Sequence, residues 1–305
     1  METQMYLAGH GSPHRPRPRR ALRALGGTLI ALAALVAAVP GAAAAPDPLG
    51  RSLDRATGTT DRAISPSHPE RDWMGSSVVA REGRSASTSA TPSSRVTQTP
   101  GFDVSNWQGT INWPAAFAKG ARFAYIKATE GTTYKDPYFN TNYTNSYHAG
   151  FIRGAYHFAT PKSSSGTAQA DYFVTHGGAW SKDGQTLPPL LDIEYPQTGA
   201  ACYGMSQSAM RGWISDFVNR VHAKTTRWPT IYTTTNWWTT CTGNSTAFAA
   251  HDPLFVARYA SSAGTLPAGW PFYTFWQHAD SGSFPGDQDY FNGPYSGLEN
   301  LANNT

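Results

Sequence analysis

The sequence predicts an α/β protein: from about residue 99 onward, an irregular, incomplete (β/α)8 barrel, TIM-like in plan, that lacks outer helices in its last third. Three observations carry the prediction. Between residues 101 and 233, β-rich runs alternate with helix-patterned segments, the order that builds a largely parallel sheet. Eight strand-like runs can be counted along the chain, and eight is the number at which such a sheet closes. Beyond residue 233, three of those runs follow one another with no long amphipathic helix between them.

Each element has a local cause. Phe102 and Val104 alternate with Asp103 in a first strand over 101–104, as a pleated chain requires. Asn112 then caps a helix that has Pro114 in its first turn and is closed by Gly120. Residues 123–129 form the second strand. Asp136-Pro137 opens a helix that runs to Ala149 and ends at Gly150, and 152–158 is the third strand. A helix over 165–176 leads to the fourth strand, within 187–196, whose apolar run ends in Asp192-Ile193-Glu194. The helix over 206–225 carries Met210, Trp213, Ile214, Phe217, Val218 and Val221 at spacings of three and four, so it buries one face. Residues 230–233, 254–257, 273–277 and 287–291 are the remaining strands.

The N-terminal third differs in kind. The first hundred residues hold twelve Arg against seven acids, whereas the rest holds 12 Lys or Arg against 13 acids. The overall charge of +4 therefore belongs to the N-terminal part, and the near-neutral remainder offers no basic face to nucleic acid. Residues 1–45 read as an export signal: an Arg-rich start, an apolar run over 24–39 too short and Ala-rich for a membrane span, then Gly41 and four alanines for cleavage. Arg19-Arg20 keeps the twin-arginine route open beside ordinary Sec secretion. The mature protein is expected to be secreted, with no membrane span. Residues 46–98, rich in Ser, Thr, Arg, Gly and Pro, are expected to be a disordered linker or a pro-segment. Within them Asp72-Trp73-Met74-Gly75 and Val78-Val79-Ala80 interrupt the pattern, either docking on the domain or marking a processing site. In an oxidising destination the two cysteines, Cys202 and Cys241, are expected to form a disulfide. With no second cysteine pair and no HExxH, no metal or other cofactor is expected.

The fourth strand carries the chemistry. Side chains alternate along a strand, so Asp192 and Glu194 point the same way and Leu191 and Ile193 the other. Two acids in one small volume cannot both ionise freely, and the raised pKa of one keeps a carboxylic acid protonated near neutral pH. Strand ends of a barrel converge on one mouth. There Asp103, near the end of the first strand, and Asp287, at the start of the last, can face the pair. Breaking a glycosidic bond needs a proton on the leaving oxygen and stabilisation of an oxocarbenium-like carbon, tasks that carboxylates in different environments can divide.

Five ordered blocks give these residues a family. Gly101-Phe102-Asp103-Val104-Ser105-Asn106-Trp107-Gln108-Gly109, residues 123–131, Gly154-Ala155-Tyr156-His157-Phe158, Leu191-Asp192-Ile193-Glu194 and Trp276-Gln277 together resemble the Chalaropsis-type lysozymes, glycoside hydrolase family 25. The resemblance covers about residues 100–297. It implies a secreted N-acetylmuramidase that cuts the β-1,4 bond between N-acetylmuramic acid and N-acetylglucosamine in peptidoglycan glycan strands, on a flattened, irregular barrel. It implies Glu194 as general acid, Asp192 as the residue that orients and stabilises the substrate's 2-acetamido group, Asp103 as a further active-site acid and Asp287 as a late acid lining the site. Asp289 stands where the family pattern has asparagine, so the assignment to Asp287 or Asp289 stays open. So does the route: acetamido participation, a direct nucleophile and a base activating water depend on a carboxylate separation.

Trp107, Tyr125, Tyr156, Tyr232 and Trp276 are candidate platforms for sugar faces, with Tyr195 and Tyr259 beside them; for each the competing role is barrel packing. Lys127 and Glu130 are expected to form a structural ion pair or a rim, and His157 to be a hydrogen-bonded structural histidine. A chitinase-like endoglycosidase and a non-catalytic cell-wall-binding module are the alternative functions. The chain is expected to act as a monomer.

Overall fold

The structure, a computed structural model, describes residues 68–84 and 97–303. The expected export signal and the stretches 46–67 and 85–96 lie outside the described residues.

Among the described residues nine strands form one sheet: β1 (Thr99–Val104), β2 (Phe123–Glu130), β3 (Tyr134–Lys135), β4 (Ile152–Phe158), β5 (Leu190–Asp192), β6 (Thr230–Thr233), β7 (Leu254–Ala257), β8 (Phe275–Ala279) and β9 (Asp287–Phe291). Their order is β1-β9-β8-β7-β6-β5-β4-β2-β3, and a further β1–β2 pairing closes eight of them into a barrel. The two-residue β3 was not expected; it hairpins back onto the end of β2. Closure holds, but the eightfold parallel repeat does not, because β9 runs antiparallel to both neighbours. The cause is the connection. Only residues 280–286 separate β8 from β9, and a parallel neighbour needs a crossover of about a dozen residues or more.

Among the described residues seven α-helices accompany the strands: α1 (Val78–Glu82), α2 (Trp113–Ala118), α3 (Phe139–His148), α4 (Gly166–Thr175), α5 (Gln207–Thr225), α6 (Thr235–Thr242) and α7 (Tyr295–Asn303). Among the described residues no helix lies between β7 and β9. Helix α3 begins later than Asp136-Pro137 suggests: the Asp136 side chain accepts from Tyr138 N at 2.8 Å, a turn that precedes the helix. Helices α6 and α7 went unforeseen. The first has a readable start in the Thr234 hydroxyl, which accepts from Trp237 N, and a readable stop in Gly243, with φ 71°.

Two apolar layers result from strand alternation. Phe102, Val104, Leu191, Ile193, Ile231 and Val256 pack outward against Trp213, Phe217, Trp237 and Trp238 of the helices. Phe123, Tyr125, Tyr156, Leu190, Tyr232, Phe255, Phe275 and Phe291 fill the barrel. Leu298 and Ala302 of α7 join this inner cluster below; Met74 and Val78 join it at the mouth. Within the expected linker or pro-segment, residues 68–84 pack on the barrel, with Met74 and Val78 buried. Their apolar side chains find a socket in the barrel, which supplies the buried surface that composition alone does not reveal. Cys202 and Cys241 are disulfide-bonded, Cα atoms 5.2 Å apart, tying the loop after β5 to α6. No helix among the described residues is long and apolar enough to cross a membrane.

Candidate active site

The C-terminal ends of the parallel strands deliver acids to one chamber. Asp192 is the last residue of β5 and Glu194 lies two positions on, both wholly buried. Asp103, near the end of β1, pairs in register with Asp287 at the start of β9, and both are buried. Asp289 pairs with Gly101, one step deeper. Antiparallel β9 thus brings its first residue, not its last, to the mouth.

Gln277 of β8 organises this wall. Its Nε2 donates to Asp103 Oδ2 at 2.7 Å and to Asp287 Oδ2 at 3.0 Å. Its Oε1 accepts from the Tyr232 hydroxyl at 2.6 Å and the Tyr259 hydroxyl at 3.1 Å. Both Asp192 oxygens, in contrast, have no hydrogen-bond partner among the described residues. Glu194 accepts from Gly75 N at 2.6 Å on Oε1 and from the Ser77 hydroxyl at 2.9 Å on Oε2.

Burial dominates the electrostatics. It pushes Glu194 up to about 8, against the lowering effect of the Gly75 and Ser77 donors. Asp192 is raised well above the usual carboxylate range by burial and then by the Glu194 charge. Asp103 is raised well above its ordinary value by burial and then by Asp287, with the Gln277 donor opposing. Asp287 is pushed up to about 8 by burial and then by Asp280. Low dielectric and like charges thus favour protonated acids throughout the chamber.

The sequence-predicted residues divide. Asp103, Asp192, Glu194, Asp287, Tyr156 and Tyr232 come together, and the Tyr156 hydroxyl accepts from Met74 N. Tyr125 and Trp276 do not line the mouth. Tyr125 sits deeper, its hydroxyl donating to Pro188 O at 3.1 Å, amid Phe255 and Phe275. Trp276 packs in the outer layer and donates to Arg258 O, because its neighbours Phe275 and Gln277 take the inward positions. Trp107 is 59% exposed at the rim and stacks on Trp73, ring centroids 4.6 Å apart. Lys127 and Glu130 form a fully buried ion pair of 2.6 Å. His157 bonds Thr129 and Gln169 in the outer layer. Gln277 and Tyr259 were undervalued; the period-two pattern around outward Trp276 was the signal for the first.

Residues 102–287 match the sequence profile of glycosyl hydrolases family 25. Lysozyme M1 of Streptomyces globisporus is 56% identical over 210 residues, 67% of this chain and 71% of its own length. The N,O-diacetylmuramidase of a Chalaropsis species is 48% identical over 206 residues, 66% of this chain and 98% of its own. Among solved structures, a muramidase from Acremonium alcalophilum is 61% identical with a TM-score of 0.67, covering 68% of this chain and 99% of that one. A lysozyme from Streptomyces coelicolor is 55% identical with a TM-score of 0.66 over 68% of this chain and 98% of that one.

Proposed function

From membership of glycosyl hydrolases family 25, to which this chain belongs, we propose a secreted lysozyme that hydrolyses the β-1,4 bond between N-acetylmuramic acid and N-acetylglucosamine in peptidoglycan. Glu194 is the general acid and then the base, and Asp192 holds the 2-acetamido group while its carbonyl oxygen attacks the anomeric carbon. Asp103 and Asp287 shape the charge of the cleft, with Tyr156, Tyr232 and Tyr259 around them. One observation carries the division of labour: Asp192 presents two buried acceptor oxygens with no donor among the described residues. An acetamido N–H supplies the missing donor. Burial raises the pKa of Glu194, and the donors that oppose the rise, Gly75 and Ser77, are absent from a chain that begins at residue 99, so the acid keeps a proton to deliver. The reaction on this route retains the anomeric configuration.

The test uses a chain beginning at residue 99, the length to which the solved relatives correspond. Glu194→Gln should lower reducing-end release from purified peptidoglycan by about two to four powers of ten. Mass spectrometry of the wild-type digest should find muramic acid at the reducing ends, and NMR of the first product the β-anomer. A Glu194→Gln rate near wild type would sink the assignment, and cleavage of chitin alone would transfer the chain to the chitinase-like class.

A further inference from the structure

The chamber is covered by the chain itself. We propose that residues 68–84 are a built-in inhibitor that fills the substrate cleft, so that the full chain is a latent precursor activated by cutting between residues 85 and 96. The claim rests on the reading of the cleft as a glycosidase site, and the contacts made by the segment carry it.

Met74 and Ser77 sit almost without exposure in the mouth. Gly75 N donates to Glu194 at 2.6 Å and Ser77 Oγ at 2.9 Å, so both carboxyl oxygens of the acid are engaged by the segment. A leaving glycosidic oxygen would have to stand where Gly75 N now stands. Gln277 Nε2 reaches Met74 O at 3.1 Å, and the Tyr259 hydroxyl reaches Gly75 O at 3.3 Å. Lys127 Nζ donates to Pro69 O at 3.0 Å and to Asp72 O. Trp73 covers the face of Trp107, the surface on which a pyranose would stack. Farther on, Glu82 Oε2 accepts from Asn236 Nδ2 at 3.0 Å and Oε1 from the Tyr195 hydroxyl at 2.8 Å, while Arg81 donates to Pro196 O and Gly199 O, both at 3.1 Å. A segment held only by surface adhesion would not engage the acid, the organising glutamine and the rim aromatic together.

Gly75 fixes the fit. Its φ is 86°, and a Cβ there would strike Tyr259 Oη, lie 2.5 Å from Gln277 Oε1 and 2.9 Å from Tyr232 Oη. Only glycine takes this conformation against these neighbours without strain. Cutting the chain between 85 and 96 would convert a tethered contact into a bimolecular one. The effective concentration supplied by a short tether, of order millimolar, would be lost on dilution.

The test compares the full chain with its Gly75→Ala and Met74→Asp variants, neither of which alters a residue of the barrel. Two quantities are read: sedimentation with insoluble peptidoglycan, and release of reducing ends. The expected result is that wild type does neither appreciably, that both variants bind, and that their hydrolysis exceeds wild type by about a hundredfold, the factor for a segment seated 99% of the time. Trypsin, with Arg84 and Arg95 flanking the cut, should bring wild type to the same rate. Wild-type hydrolysis equal to that of both variants before cutting would overturn the proposal. Binding gained by the variants with hydrolysis by none would uphold the occlusion and overturn the muramidase reading instead.

Discussion

Gln277→Leu tests how the acid wall is held together. The substitution keeps the side chain's bulk and deletes five hydrogen bonds, two to the carboxylates of Asp103 and Asp287, one to Met74 O and two from the hydroxyls of Tyr232 and Tyr259. Tyr259 can redirect its hydroxyl to Asp287 Oδ2, 3.3 Å away. The uncompensated losses then fall on Asp103 and Tyr232, both buried, at roughly 1–3 kcal/mol each and so about 2–6 kcal/mol in all. For a domain of about 200 residues this lowers the melting temperature by roughly 4–24 °C. The loss also depends on pH. Asp287 has its pKa raised to about 8 from 3.8, so it opposes folding increasingly as pH rises through that interval. Removing the Gln277 donor raises the folded-state pKa further, and the added cost appears only above about 8. Thermal melts at pH 6 and pH 9 should therefore show a deficit at both and a larger one at pH 9. A variant melting within a degree or two of wild type, or a deficit that shrinks with pH, would refute Gln277 as the organiser of the wall.

Three further outcomes follow from the same geometry. Reducing the Cys202–Cys241 bridge, which closes a sequence separation of 39, should cost about 4 kcal/mol by loop entropy; melts with and without dithiothreitol read it, and an unchanged midpoint contradicts it. His157 is lowered to about 3 by burial from 6.5, so the unfolded chain takes up the proton first and stability falls as pH drops through that window. His157→Gln should flatten this acid limb in urea titrations at pH 7, 5 and 4, and an equally steep limb would assign the acid lability elsewhere. Asp192→Asn should lower reducing-end release by about a hundredfold or more yet raise the melting temperature at pH 7, because it removes a buried carboxylate that lacks a donor; a drop in both would mean that Asp192 serves the fold.

Much of the barrel was legible because its strands are short apolar runs bounded by turns and its helices carry caps. Asn112, Ser165 and Ser206 each accept a backbone N–H three residues on, where a cap belongs. Strand direction was less legible. Residues 287–291 read as a strand, but their antiparallel course depends on the short connection from β8, and it decides that Asp287 rather than Asp289 reaches the mouth. Helix α6 was obscured because Thr235–Thr242 is rich in threonine and tryptophan, poor helix formers whose helix is set by Trp237 and Trp238 packing under the outer layer. Trp276 shows the opposite: aromatic character suggests a sugar platform, and only the facing of its neighbours sends it outward. The docking of residues 68–84 could not be chosen from composition, because a docked segment takes its apolar surroundings from residues far away in the chain. Asp72-Trp73-Met74-Gly75 was nevertheless visible as the place where the linker stops being a linker.

The chamber's acids separate by where their donors come from. Asp103 and Asp287 take theirs from Gln277, and Asp287 from Tyr259 as well, all residues of the barrel that remain whatever occupies the cleft. Glu194 takes its donors from Gly75 and Ser77, which belong to the covering segment. Asp192 has none among the described residues. A resident donor stabilises the carboxylate and lowers its pKa, which suits a fixed negative charge and disables a proton donor. The barrel thus leaves without built-in donors the two acids that would have to exchange partners with a substrate, one giving a proton and one receiving an amide N–H. It supplies donors to the two that would not. Residues 68–84 lie on Glu194 of that first pair, and the Gly75 backbone N–H occupies the position that a reacting sugar would need.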